Sequence, residues 1–411
     1  MNPKCARHSL PFIFLILAAS ALADTPAYTR EQLESLARAS SPAILAARNQ
    51  IETAAAAVRT AGAWPNPEIE YQKGDGRARQ ITGVPGKVET YTITQPIDMP
   101  WVRNARIGAA EAGLASAQAL GRGLVSDVIA RIRLRYFDVL RRQAEVKAAE
   151  EDLTQMESVR DRIALRVEVG EAPRFELVKA DAEMLNAQKN AYTANLRVNQ
   201  SRTALRALIG PALPADYMLQ GQLQDVLTIK DLDGLRNEIR DSNPDVLRAR
   251  AEQERATRLL AQEKAKRLPT FALRGSKEND PDLSTSRIGV VMTIPLWDRR
   301  SGPVDEARAN LARADNELAG AEFSLDSNIA IAYEQYQITL AQVNALESGI
   351  VRQAENALRI AENAYRFGER GILDVLDAQR VYRAARSELI NARYEAASTW
   401  TELERLRANT N

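Results

Sequence analysis

Residues 365–378 read Y-R-F-G-E-R-G-I-L-D-V-L-D-A and interrupt a long helical pattern at two glycines. Gly368 and Gly371 favour a tight chain reversal, because glycine tolerates the backbone conformations found just after helix C-termini. Asp374 then falls in the first turn of the following helix, where the helix dipole favours a carboxylate. This stretch therefore predicts the tip of a helical hairpin.

A related tip lies 198 residues earlier, where residues 167–180 read V-E-V-G-E-A-P-R-F-E-L-V-K-A and Gly170 aligns with Gly368. Both tips lead into helices with apolar or small residues at seven-residue intervals. After the first tip the rows are Leu177, Met184, Ala191, Val198, Leu205 and Ala180, Ala187, Ala194, Ser201, Leu208; after the second they are Val375, Tyr382, Leu389, Ala396, Leu403 and Ala378, Ala385, Ala392, Thr399, Leu406. Such a repeat predicts supercoiled helices, and the shared pattern predicts an internal duplication.

The composition favours long packed helices over one large globule. The 411 residues are 45% hydrophobic but only 5% aromatic, and they are rich in alanine and charge. Residues 1–23 combine Lys4 and Arg7 with an apolar run and an A-L-A cleavage pattern, which predicts a secretory signal peptide; an uncleaved anchor is the alternative. The 55 basic and 54 acidic residues nearly balance, which argues against a nucleic-acid partner.

Residue types common in catalytic and metal sites are scarce. Cys5 and His8, the single cysteine and the single histidine, both lie in the predicted signal peptide. Their removal takes away thiolate nucleophiles, histidine-based triads and the commonest zinc ligands. We therefore predict a protein that is not an enzyme and that has neither a cofactor nor a metal site.

The hydrophobic period changes to two in two places, which predicts two β-hairpins. The first spans residues 68–95, where Tyr91 and Ile93 alternate with threonines, and the second spans residues 270–294. Polar, glycine-containing loops are predicted at residues 73–87 and 275–285. Each half then reads as helix, hairpin, very long helix, tip and helix, with the first repeat over 24–210, a connector over 211–241 and the second repeat over 242–411.

The very long helices and the strands constrain how the chain can pack. A helix from Trp101 to about Val169 would extend about 100 Å and needs lateral partners along its length. Four strands with one apolar face cannot enclose a useful lumen alone, and in a membrane a sheet must close. Aromatic residues near the strand ends would then form an interfacial girdle: Trp64, Tyr71, Tyr91, Trp101, Phe271 and Trp297. The alternative is a soluble sandwich in which these aromatics belong to the core.

Two motifs closely resemble those of the TolC-like outer-membrane efflux proteins: G-E-R-G-I-L-D-V-L-D-A-Q at residues 368–379 and E-L-I-N-A-R-Y at residues 388–394. The resemblance implies a mainly α fold with a small β part. Long coiled-coil helices would form a helical barrel, and four strands per protomer would complete a shared twelve-stranded trimeric β-barrel. The segment W-P-N-P-E-I at residues 64–69 resembles the branch that serves heavy-metal pumps of the RND type.

The resemblance also implies a function and a set of partners. The chain would be the exit duct of a tripartite efflux system, a homotrimer in outer-membrane lipid with a long periplasmic extension. A periplasmic adaptor and an inner-membrane transporter would supply energy and substrate choice. The alternative is a soluble periplasmic coiled-coil adaptor or scaffold.

Residues at the tips receive roles through the same resemblance. Asp374 and Asp377 match the acidic ring that lines the family's gate. Arg370 and Tyr365 match residues that latch the inner helix pair to the outer pair, and Glu176 matches the acidic residue that receives them. The alternative for Asp374 is compensation of the helix dipole, and the alternative for Arg370 is a solvated charge.

The two tips are not equivalent in charge. Lys179 stands where the second half has Asp377, so a doubled acidic ring is not predicted.

Overall fold

The computed structural model of the protein describes residues 26–76, 85–223 and 232–407. The predicted signal peptide, part of the first predicted loop and part of the connector lie outside these residues. The fold class predicted from the sequence is confirmed, since long helices dominate and the strand part is small.

The two halves of the chain contain corresponding series of helices. They are α1 (Arg30–Ser40), α2 (Pro42–Gly62), α3 (Pro100–Glu168), α4 (Arg174–Ile209), α5 (Leu232–Ser242), α6 (Pro244–Ala265), α7 (Ser301–Ala345), α8 (Val351–Arg366) and α9 (Ile372–Arg407). A π-helical turn, Leu346–Ile350, joins α7 to α8 without a break. From the sequence we predicted one long helix here and did not predict this turn.

Six strands accompany the helices in the described part of the chain. They are β1 (Ala27–Tyr28), β2 (Glu68–Gly76), β3 (Gly86–Ile97), β4 (Met218–Leu219), β5 (Thr270–Asn279) and β6 (Ser284–Thr293). The two-residue strands β1 and β4 pair in parallel, and the other four form an antiparallel sheet in the order β2-β3-β5-β6. This order leaves β2 and β6 as the sheet edges.

The hairpins extend further than their predicted strands. Residues 73–76, 86–87, 275–279 and 284–285, which were assigned to loops, continue β2, β3, β5 and β6. Charged residues here face partners across the strands, and Lys73 Nζ lies 2.8 Å from a carboxylate oxygen of Glu89. Cross-strand ion pairs support pairing where apolar alternation has ended, which explains the difference from the prediction.

In the part of the sheet nearer the helices, the register places apolar and polar side chains on opposite faces. Ile69 pairs with Ile93 and Tyr71 with Tyr91, whose rings lie 5.0 Å apart. The same face continues through Ile97, Phe271, Leu273, Ile288, Val290 and Met292. The other face carries Glu68, Glu70, Thr92, Thr94, Arg274, Glu278 and Arg287. Most of the apolar face is exposed in the single chain, with Ile288 at 86%.

Between the middle of the long helices and the tips, the helices pack side by side in a fixed order. Helix α4 packs against α3, α3 against α9, and α9 against both α7 and α8. Every position of the predicted seven-residue rows on α4 and α9 is buried or half-buried, which confirms those rows as packing seams. Consequently α4 and the α7–α8 helix are the two edges of this layer.

Two apolar cores hold the layer together. The larger gathers residues such as Ile132, Tyr136, Leu205 and Trp400 around the middle of the long helices. Beside Trp400, Arg133 donates to both carboxylate oxygens of Glu34, at 2.6 and 2.9 Å. A smaller core, near the tips, contains Met156, Ile163, Ala180, Ala187, Leu358, Ile372 and Leu376. Within the three described ranges, no helix is both long and apolar enough to cross a membrane.

Candidate functional site

Both tips end in the same backbone cap. Gly170 and Gly368 adopt positive φ angles of 79° and 75°. The amide of Glu171 donates to the carbonyl of Arg166 at 2.8 Å, and the amide of Glu369 donates to the carbonyl of Ala364 at 2.9 Å. These are the six-to-one bonds of the Schellman motif, which requires a left-handed residue that glycine supplies without steric cost.

Gly371 has a different role from the one predicted. Its φ angle is not positive, and a Cβ atom added there would meet nothing within 4 Å. Gly371 directly precedes α9, as Pro173 directly precedes α4. At this position the chain no longer takes part in the hydrogen bonds of the Schellman motif. The expectation that both glycines provide the reversal is therefore wrong for Gly371.

Gly368→Ala is expected to destabilise the folded protein by about 1 kcal/mol, because a Cβ atom disfavours the left-handed conformation. The free energy of unfolding in denaturant measures the effect. Gly371→Ala is the matched control, three residues away in the same tip, and should leave stability unchanged or slightly higher. Equal losses in the two variants would contradict this account of the cap.

Tyr365 joins the two halves of the chain at the tips. Its hydroxyl donates to Oε2 of Glu176 at 3.4 Å, so that α8 is linked to α4. The guanidinium of Arg166 lies 4.8 Å from the centre of the Tyr365 ring. Burial raises the pKa of the Tyr365 hydroxyl above its usual range, with Arg166 opposing the shift. The hydroxyl therefore stays protonated and available as a donor at neutral pH.

Arg370 contacts a different residue from the one predicted. Its Nη1 atom lies 3.6 Å from Oδ2 of Asp374, four residues further along the chain. Among the described residues it forms no ion pair with Glu176, so the predicted contact between the two is not formed in this structure. The Arg370 side chain is 67% exposed, and the nearer carboxylate at the start of α9 is its partner. Asp377 is exposed on the same helix.

Lys179, at the position equivalent to Asp377, lies near an aromatic ring. Its Nζ atom is 5.3 Å from the centre of the Phe175 ring, in the first turns of α4.

A group of ion pairs just beyond the tips links α9 to α3 and α4. Arg380 bonds Glu183, and Arg383 lies 3.5 Å from Asp152 and 4.0 Å from Glu183. Gln379, only 1% exposed, donates to Asp152 at 3.3 Å. We call these five side chains the α9 ion-pair cluster. Burial raises the pKa of Asp152, and Arg383 opposes that shift.

The family of the chain follows from a direct comparison. Residues 33–211 and 235–409 match the family model described as outer membrane efflux protein. The chain belongs to this family. Its resemblance to TolC-like proteins, predicted from residues 368–379 and 388–394, is thereby confirmed.

Individual relatives include metal-resistance proteins. Over 376 residues the chain is 29% identical to the cobalt-zinc-cadmium resistance protein CzcC of Cupriavidus metallidurans, covering 90% of this chain and 88% of that protein. It is 26% identical over 324 residues to the nickel-cobalt-cadmium resistance protein NccC of Alcaligenes xylosoxydans xylosoxydans, covering 77% and 72%. The predicted likeness to the heavy-metal branch is confirmed by these relatives.

Solved structures show the same fold. The outer membrane protein VceC from Vibrio cholerae superposes with a TM-score of 0.76 at 21% identity, over 92% of this chain and 96% of that one. The structure of CusC gives a TM-score of 0.79 at 16% identity, over 98% of both chains.

In this outer membrane efflux protein, sequence reasoning found the tips but missed the α9 ion-pair cluster. Arg380 and Arg383 lie beside the seam position Tyr382, and Arg386 continues the same flank with an ion pair to Glu151 at 2.5 Å. Arginines recurring at three-residue spacing beside a seam were the available signal. Their acidic partners lie in the other half of the chain, and sequence spacing alone could not assign them.

Proposed function

We propose that this efflux protein is the outer-membrane exit duct of a tripartite efflux system. It acts as a homotrimer and conducts its substrate passively. A periplasmic adaptor and an inner-membrane transporter of the RND type supply the energy and select the substrate. The relatedness to CzcC and NccC favours heavy-metal cations as the substrate class.

The observation that carries this proposal is the four-stranded sheet with one exposed apolar face and one polar face. Its edges, β2 and β6, offer unpaired backbone groups that hydrocarbon cannot satisfy. Three copies joined edge to edge would give twelve strands, with the apolar face towards lipid and the polar face lining a water-filled lumen. In the helical layer, α4 of one copy would pack against α7–α8 of the next copy, so that the helices continue the duct into the periplasm.

The tips form the gate in this proposal. Asp374 and Asp377 lie three residues apart on one face of α9, so a trimer would present six carboxylates around its axis. Such a ring attracts cations. Arg370 sits against Asp374 and reduces the charge of the ring, which is a different role from that of a latch.

The latch of the proposed gate comprises the bond from Tyr365 to Glu176 and the α9 ion-pair cluster. Both join α8 or α9 of the second repeat to α3 or α4 of the first. The Tyr365–Glu176 bond and the Arg380–Glu183 pair are partly exposed and individually weak, so these links can open without unfolding the helices. The duct itself would not select metals, because thiolate and imidazole ligands are missing from the sequence after residue 23.

Cell fractionation tests the proposed location. The mature chain, beginning near Asp24, is expected in the outer membrane, and detergent should extract it as a trimer that resists heating in mild detergent. The control is a soluble periplasmic protein followed in the same fractions. Recovery of the chain with that control would support the soluble adaptor instead and would defeat the duct.

A further inference from the structure

The helix formed by α7, the π-helical turn and α8 contains one interval that breaks its seven-residue repeat. The row buried against α9 runs Leu325, Ala332, Thr339, Leu346 at intervals of seven, and then Ala354 and Ala361. The step from Leu346 to Ala354 is eight residues, whereas the facing rows of α9 keep intervals of seven throughout. Relative to α9, one extra residue is therefore inserted in α7–α8.

The π-helical turn coincides with this insertion. Each residue advances an α-helix by about 100°, so an extra residue would turn everything beyond it away from α9. A π turn closes its hydrogen bonds over five residues and so absorbs the extra residue. The turn covers Leu346–Ile350, and Glu347 within it bonds Arg393 of α9 at 2.9 Å. As a result, α7 and α8 present the same side to α9.

By absorbing the extra residue, the π-helical turn also keeps a second, exposed row on one side of the helix. Its positions are Ile331, Ile338, Ala345, then Gln353, Ile360 and Phe367, again with one step of eight. Ile331, Ile360 and Phe367 are exposed by 67–77%, although they are apolar. The other edge of the layer, α4, carries its own exposed heptad row with Val178, Leu185 and Tyr192, flanked by Phe175 and Leu196; each of the five is at least 52% exposed.

We propose that the π-helical turn is a register element for the contact between copies of the chain. It holds the exposed row of α7–α8 against the exposed row of α4 from a second copy, on both sides of the turn. This inference rests on the proposed trimer. It selects a second copy as occupant because the two rows lie on opposite edges of one layer and share the heptad spacing, so copies joined edge to edge would bring them together.

Residues that lie the same number of positions from the tip glycines, Gly170 and Gly368, are at the same distance from the tips along the two helices. Val178 lies eight residues after Gly170, and Ile360 lies eight before Gly368. Above the turn, Tyr192 and Ala345 lie at similar counts from the same glycines. These two pairs are therefore expected to meet between copies, one on each side of the π-helical turn.

Deletion of one residue tests the register. Removing Ser348 should convert the π turn into an ordinary α turn and leave all rows at intervals of seven, so the heat-resistant trimer and its melting midpoint should be retained. Removing Glu150, the equivalent exposed position in the uninterrupted helix α3, is the matched control. It should rotate residues 151–168 away from their partners and abolish the trimer. Loss of the trimer in both deletions, or in neither, would overturn the proposal.

Disulfide cross-linking separates the register from the trimer itself. The mature chain has no cysteine, so Val178→Cys with Ile360→Cys, and Tyr192→Cys with Ala345→Cys, can be oxidised without background. Both pairs should give cross-linked trimers, with and without Ser348. A trimer in sedimentation that yields neither cross-link would overturn the seam and leave the duct intact, whereas a monomer in sedimentation would defeat the duct.

Discussion

Replacement of Ile93 by arginine is expected to prevent assembly of the trimer in the outer membrane. Ile93 lies in β3, opposite Ile69 on the apolar face of the sheet, and is 53% exposed in the single chain. In a β-barrel, arginine at the midplane of the lipid face costs about 2–4 kcal/mol. Since the trimer would carry three copies, the total is comparable to the whole stability of a typical domain.

The measurement is the amount of heat-resistant trimer in the outer-membrane fraction. Thr92→Arg provides the control, since Thr92 is the neighbouring residue and points to the polar face. That variant should assemble in normal amount, because arginine would project into water. If Ile93→Arg assembled as well as Thr92→Arg, the apolar face would not be the lipid face.

Loss of the α9 ion-pair cluster is expected to open the duct. The double variant Arg380→Ser with Arg383→Ser removes the ion pairs to Glu183 and Asp152 in every copy. Three ion pairs are lost in each of three copies. Even at about 0.3 kcal/mol for each pair, the loss would shift the closed–open equilibrium by roughly two powers of ten. Unfolding should be little affected, because the apolar core near the tips is untouched.

Single-channel recording in planar bilayers would detect the opening as a rise in mean conductance, and Tyr365→Phe in the same background should raise it further. Arg359→Ser is the control, because Arg359 bonds only Asn356 of its own helix in the described structure. If the double variant conducted like the Arg359→Ser control, the cluster would have no part in the gate.

The sequence predicted those parts of the fold that depend on local periodicity. The alanine row of α4 and the apolar rows of α9 are buried or half-buried, as their seven-residue spacing indicates. Gly170 and Gly368 were identifiable because a helix cap needs a left-handed residue at one position. The apolar face of the sheet was visible in the alternation around Ile69 and Ile93.

Features that depend on two distant segments were less predictable. The family resemblance assigned Glu176 to Arg370, and only the three-dimensional positions show that Arg370 pairs with Asp374 instead. Arg380 and Arg383 find their partners across the two repeats. The extra residue in α7–α8 changes a single interval of the heptad rows from seven to eight residues. One such interval is not enough to predict a π turn, and the structure locates the turn there.

Reversible modification of the proposed gate is the most direct test of the central claim, that this protein is a passive conduit whose narrowest point lies at the tips. Asp377→Cys places one thiol per copy at that point, in a mature chain that otherwise has none. Phe323→Cys, 82% exposed on α7 and far from the tips, is the control. In planar bilayers, a bulky cationic thiol reagent should abolish the current of Asp377→Cys, a reductant should restore it, and the control should keep its current. A current through Asp377→Cys that persists after complete modification would contradict the account.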